Sequence, residues 1–155
     1  MDKNVFMMYA IKMMINVARG YNAIGYYKTA MANELDIKYI YDTLHKEHRV
    51  FSSQEFQFNV VYGETLQRQG QFKEAYEMLS KAINDKAHMS SEMDLFCVCI
   101  YRAEALIEFE WYVDAQTDIK AALKLAEKGR LSKSKRCEML KIKCENPPLP
   151  KEFLR

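Results

Sequence analysis

The side chains best suited to metal or nucleophilic chemistry are three histidines and four cysteines: His45, His48, His88, Cys97, Cys99, Cys137 and Cys144. A structural zinc site needs such ligands in paired short spacings, and an activated nucleophile needs a base beside it. Neither pattern is present. His45 and His48 can share one helix face, yet no Cys, Asp or Glu completes a ligand set in register with them. Cys97 and Cys99 fall on different faces of a helix, and Cys137 and Cys144 stand two turns apart. The chain also has no glycine-rich phosphate loop and no nucleophile motif. No catalytic, metal or cofactor site is expected. The thiols read as reduced and partly buried, in a soluble protein of the cytosol or nucleus.

What remains is the chemistry of recognition, and its residues must be positioned by helices. At 155 residues, 49% apolar and 28% charged, the chain can bury one ordinary core. Five Gly and three Pro are too few for a turn-rich β architecture, while ten Met and ten Tyr suit irregular helical cores. Apolar periodicity and punctuation predict a first helix over about Asn4–Arg19, stopped by Gly20. A second starts near Ala23 and continues through Leu44, bent near Asn33–Asp36. Ser52 and Ser53 can cap a third helix that Gly70 closes, and a fourth runs from Gln71 and Phe72 to Asn84. After a polar loop at Asp85–Ser91, Ser90 or Ser91 caps a fifth over Glu92–Glu108, and a sixth ends near Lys128. Ser132 caps a seventh over Lys133–Cys144, terminated by Asn146-Pro147-Pro148. The most apolar stretch, Val5–Ala18, contains Lys12 and is too short to cross a bilayer; it also lacks the flanks of a signal peptide.

One pattern recurs at an offset of 40 residues. Gly63, Leu66, Phe72, Ala75, Leu79, Ala82 and Ile83 match Ala103, Leu106, Tyr112, Ala115, Ile119, Ala122 and Leu123. Small residues at fixed places let paired helices approach closely, an aromatic fills the corner, and large apolar residues plug the interior. These types and spacings resemble the tetratricopeptide repeat, most clearly in GETLQRQGQFKEAYEMLSKAI and then in AEALIEFEWYVDAQTDIKAAL. The offset exceeds the family period of 34 by six residues, which fall in the Asp85–Ser91 loop. A weaker copy lies 45 residues upstream, where Ala18, Gly25, Tyr27 and Ala30 precede Gly63, Gly70, Phe72 and Ala75. Beyond Ala30 its register is expected to drift, since Glu34 falls where a large apolar residue belongs.

The resemblance implies an all-α fold: antiparallel hairpins over about 4–48, 53–85 and 92–128, stacked as a short right-handed superhelix. The first hairpin is degenerate, and a helix over 132–145 caps the far end. Residues 146–155 form a proline-rich tail or linker. Such arrays bind protein in a concave groove, which Gln57, Val60, Glu64, Gln67, Ile100, Glu104 and Glu108 are expected to line. Cys97 and Tyr101 also face it. This set lacks the Lys, Asn and Arg clamp by which some members hold acidic chaperone tails, and its acidity suits a basic peptide or helix. The stretch FQFNVVYGETLQRQGQFKEAYEMLSKAI and the following SSEMD are also similar to scaffold subunits of the anaphase-promoting complex. Gln57, Val61, Tyr62, Phe72 and Ala75 carry that likeness, which implies a homodimerising arm of a ubiquitin ligase in the cell cycle, with no active site of its own.

The first hairpin presents more apolar surface than an array's end should expose. Self-association is therefore expected through Met7, Met8, Ile11, Met14, Ile15, Tyr26 and Tyr27. Charge is segregated: Glu92–Asp118 is strongly acidic and Lys124–Lys143 strongly basic. Two other readings follow, a nucleic-acid-associated helical protein using the basic face of Lys124–Lys143, Lys133, Lys135 and Arg136 among it, and a regulatory domain of a larger enzyme. No aromatics interleave the basic stretch, which favours a solvated face.

Overall fold

Apolar residues recurring every three to four positions, with few breakers between them, favour helices as the regular elements of this chain. The computed structural model describes residues 3–46, 52–89, 91–128 and 135–147. It contains α1 (Lys3–Ala23), α2 (Tyr27–Lys46), α3 (Ser52–Arg68), α4 (Phe72–Asn84), α5 (Glu92–Glu108), α6 (Tyr112–Lys128) and α7 (Lys135–Glu145). A single 3-10 turn, Lys86–His88, sits in the loop before α5, and no strand occurs among the described residues. The fold is all-α. None of these helices is long and apolar enough to cross a membrane.

The helices pair as α1–α2, α3–α4 and α5–α6, each pair joined by a three-residue turn that reverses the chain. All three turns close alike. Gly25, Gly70 and Glu110 adopt left-handed backbone, with φ of 83°, 79° and 62°. Each donates its N–H to the carbonyl three residues back, at 3.1, 3.0 and 2.9 Å. The following residues, Tyr26, Gln71 and Trp111, donate five back, at 2.8, 2.9 and 2.9 Å. These bonds satisfy carbonyls that a helix end leaves open. The left-handed residues are 45 and 40 positions apart, the two offsets read from the sequence.

The first helix does not stop at Gly20 as expected. An internal glycine costs only about 1 kcal/mol relative to alanine, and continuing to Ala23 buries Asn22 on the same face as Ala18. The left-handed residue is Gly25, so α2 begins at Tyr27, and it is unbroken through Asn33–Asp36. Ser91 caps α5, its hydroxyl accepting from Asp94 N–H at 3.3 Å. The expected start of the last helix, at Ser132, lies outside the described residues.

Close approach of paired helices is visible at Gly63, where an added Cβ would stand 2.6 Å from the Leu79 side chain. Ala18 and Ala103 hold the matching places and are fully buried. On the second helices, Ala75, Leu79 and Ala82 match Ala115, Ile119 and Ala122, and all are buried. Ala30, Glu34 and Ile37 are buried in the same spacing, 45 residues before the α4 set. The register therefore does not drift beyond Ala30: Glu34 occupies the plug position itself. Burying a leucine there would contribute about 1.5–3 kcal/mol, which a carboxyl forgoes.

Around these crossings, α3 touches α1, α2, α4 and α5, so it is buried on most sides. Far along the array, α7 packs on α6 and α5. It buries Cys137 beside Cys99, Ile100 and Ala122, and Cys144 beside Ala103 and Ile119. None of the four cysteines is in a disulfide. Burial pushes the Cys99 thiol up to about 11, so it stays protonated and packs as a small apolar group.

Left-handed backbone costs a non-glycine residue about 1–2 kcal/mol, part of which glycine returns through its freer unfolded chain. Glu110→Gly is thus expected to raise stability by about 0.5–1 kcal/mol in urea denaturation. Gly70→Ala should lower it. A neutral or destabilising Glu110→Gly would mean that the third turn is not held as described.

Candidate partner-binding site

The first helices of the hairpins, α1, α3 and α5, lie side by side with α3 in the middle. Helical period turns one side of α3 and α5 away from their hairpin partners. On that side Gln57 and Glu64 of α3 are half-buried, as are Cys97, Tyr101 and Glu104 of α5, while Met93 and Glu108 are exposed. Arg19 of α1 reaches Asp94 of α5 at 3.7 Å. The row of first helices therefore closes inward over α3. That ion pair is absent from sequence reasoning because nothing in the periodicity says that α1 and α5, two hairpins apart, come within side-chain reach.

Gln57, Glu64, Glu104 and Glu108 are thus brought to one accessible face, but three other expected groove residues are not. Val60 is 4% exposed and packs with Phe56, Leu66 and Leu79. Ile100 is 3% exposed and packs with Cys99, Ala122 and Cys137. Both lie on the turn of their helix that meets neighbouring helices, so neither can line a groove. Gln67 is also buried. Its amide Nε2 donates to Glu104 and so anchors a carboxylate at the edge of this face, across the α3–α5 seam. The site is acidic, with Tyr101, Cys97 and Met93 as its apolar spots.

The expected self-association residues need a larger correction. Ile11 and Ile15 are in the core with Ala18 and Ile37, and Met7 and Met14 pack against that cluster. Met8 and Tyr27 are half-buried, and only Tyr26 is well exposed. At 100° per residue, Ile11, Ile15 and Ala18 point one way, towards α2 and α3. The opposite way point Phe6, Tyr9, Met13 and Val17, which are 62, 52, 69 and 48% exposed. This second apolar stripe was legible at 3–4 spacing but hidden by the stronger core stripe. Of the basic stretch, Arg130 and Lys133 lie outside the described residues; Lys128 pairs with Glu92 at 3.0 Å, and Lys141 with Glu145 at 4.0 Å. His45 faces Glu55 at 3.2 Å, and His48 lies outside the described residues. No cluster of three metal-ligating side chains occurs among the described residues.

Behind the groove, Glu34 meets the next hairpin. Thr65 Oγ1 lies 2.5 Å from Glu34 Oε1, 2.8 Å from Asn22 Nδ2 and 3.0 Å from the Val61 carbonyl. Glu34 Oε2 is buried with no hydrogen-bond partner. Burial pushes the carboxyl up to about 8; the Thr65 hydrogen bond opposes this, and the Glu64 charge adds to it. Because its folded pKa lies above the ordinary 4.5, the folded chain holds a proton that the unfolded chain releases. Its contribution is present in full below about pH 4.5 and is lost as pH rises towards 8. Melting curves should show stability falling across that window by an amount on the order of a few kcal/mol. In Glu34→Gln the fall should flatten, with the gain over the parent appearing at pH 8 and not at pH 5; equal slopes would show that Glu34 is not the group responsible.

Compared with known proteins, the chain matches no family model, no curated protein and no solved structure.

Proposed function

We propose that this chain is a non-catalytic protein-binding module of the tetratricopeptide-repeat kind, using the face of α1, α3 and α5 as a concave groove for a basic peptide or helix. The observation that carries this reading is the contiguous row of first helices, with Glu64, Glu104 and Glu108 on its open side. The three identical turn closures and the Gly63–Leu79 contact support the repeat assignment. An acidic face with apolar spots is complementary to a cationic partner, and that charge match governs encounter and orientation more than raw affinity. The likeness of 56–83 to anaphase-promoting complex scaffold subunits makes a ubiquitin-ligase assembly the narrower form of the proposal.

Self-association belongs to the same reading, through the exposed stripe Phe6, Tyr9, Met13 and Val17 in place of the buried isoleucines. Aromatic and methionine side chains aligned on one helix face are the composition of interface cores. A second copy offers the same stripe, and the two-fold arrangement of a dimer pairs like with like.

Affinity purification with mass spectrometry tests the groove. A Glu64→Lys/Glu108→Lys variant should lose a defined subset of the partners held by the parent, and an unchanged partner list would sink the groove assignment. Light scattering at tens of micromolar tests the stripe: the parent should be dimeric and Met13→Glu monomeric, whereas a monomeric parent would end the self-association reading.

A further inference from the structure

The second helices of the array leave clefts between them, each floored by the first helix of the following hairpin. In the later cleft, between α4 and α6, the floor helix α5 supplies Arg102. Its guanidinium grips Asp118 of α6 in a two-pronged contact, Nε to Oδ2 and Nη2 to Oδ1, both at 2.7 Å. Nη1 donates to Ser80 Oγ of α4 at 3.3 Å, and the guanidinium carbon lies 6.0 Å from the centroid of the Tyr76 ring. The planar fork thus bridges two helices and rests near an aromatic, the use for which arginine is better shaped than lysine.

In the earlier cleft, between α2 and α4, the same position on the floor helix is Tyr62, 40 residues before Arg102. Among the described residues, no side chain plays the arginine's part there. The cleft holds about 370 Å³. Its floor carries Phe58 and Tyr62, stacked with 5.4 Å between ring centroids and 20° between planes. Its rim bears four carboxylates, Asp42, Glu55, Glu74 and Glu77, against the two ammonium groups of Lys38 and Lys81; Glu55 faces His45, which also lines the cleft, at 3.2 Å, so Glu74 and Glu77 supply the excess charge. Tyr41, 3% exposed, forms part of the wall, and its hydroxyl is buried with no hydrogen-bond partner. An unpaired buried hydroxyl is destabilising, and an N–H donor entering the cleft would satisfy it.

We infer that the α2–α4 cleft is a second recognition site, on the side away from the groove, that takes an arginine side chain presented by a partner polypeptide. The guanidinium lies against the Tyr62–Phe58 rings, donates to the Tyr41 hydroxyl and is neutralised by Glu74 and Glu77. Arg102 is the internal precedent for this occupant, and the excess of carboxylates selects a cation. The site is independent of the groove and needs no partner there.

The test uses the full chain and two peptides: acetyl-Gly-Arg-Gly-Arg-Gly-amide, and its twin with the neutral isostere citrulline in place of arginine. Titration followed by NMR should shift the ring signals of Tyr41, Phe58 and Tyr62, with affinity for the arginine peptide about tenfold or more above that for the citrulline peptide. Glu74→Gln/Glu77→Gln, both exposed positions, should weaken the arginine peptide about tenfold with unchanged circular dichroism. Tyr62→Arg, which supplies the guanidinium from within, should abolish binding. Equal affinity for the two peptides, or full affinity in the glutamine variant, overturns the inference. Shifts confined to Glu64, Glu104 and Glu108 also overturn it, while leaving the groove reading supported.

Discussion

Every part of this structure depends on how closely two helices can approach within a hairpin. At Gly63 there is no room for even one methyl group unless Leu79 gives way. That proximity fixes which faces of α3 and α4 meet, and so which faces remain for the neighbouring hairpins. With small residues at the matching places of all three first helices, the units have similar cross-sections and can stack. Two faces follow from this packing: first helices fall on one side, second helices on the other, and each side acquires its own surface chemistry.

The first hairpin departs from this plan in its interior and on its outside. Inside, a carboxyl replaces the aliphatic plug and takes Thr65 as its partner, which is in turn bonded to Asn22, so a polar cluster is set into a seam with α3 that is otherwise apolar, built from Ile11, Ile15, Phe58 and Val61. Outside, α1 has apolar residues on opposite sides. A helix apolar on opposite sides is either buried in a larger core or covered by another surface.

The fold was largely legible because its determinants are local. Gly70 at a helix end, Ser91 before an apolar run, and alanines at 40-residue spacing report helix ends and crossings directly. Gly20 misled because local propensity is a weak prior against tertiary burial, and the real terminator was five residues further on. Glu34 misled in the opposite way: its charge argued for a break in register, whereas protonation and a hydrogen bond let it keep the position. The site was legible only in part. Periodicity placed Glu64, Glu104 and Glu108 on an open face, but it could not separate Val60 and Ile100 from that face. Their burial depends on neighbours contributed by other hairpins. Arg19–Asp94, Gln67–Glu104 and Arg102–Asp118 are contacts between different helices, and a pattern read along one chain carries no distance between them.

The Arg102 clamp also has a mechanical consequence. Through one guanidinium on α5 it bonds both α4 and α6 and so ties the second and third hairpins together. The seam ahead of that clamp combines the apolar packing of Ile11, Ile15, Phe58 and Val61 with one buried carboxyl that burial keeps protonated. In a quasi-one-dimensional array, stability is the sum of units and their junctions, and unequal junctions set where the array parts first. The two junctions thus differ in kind: the later one carries an arginine clamp that keeps its charge, the earlier one a buried carboxyl whose proton is retained by burial.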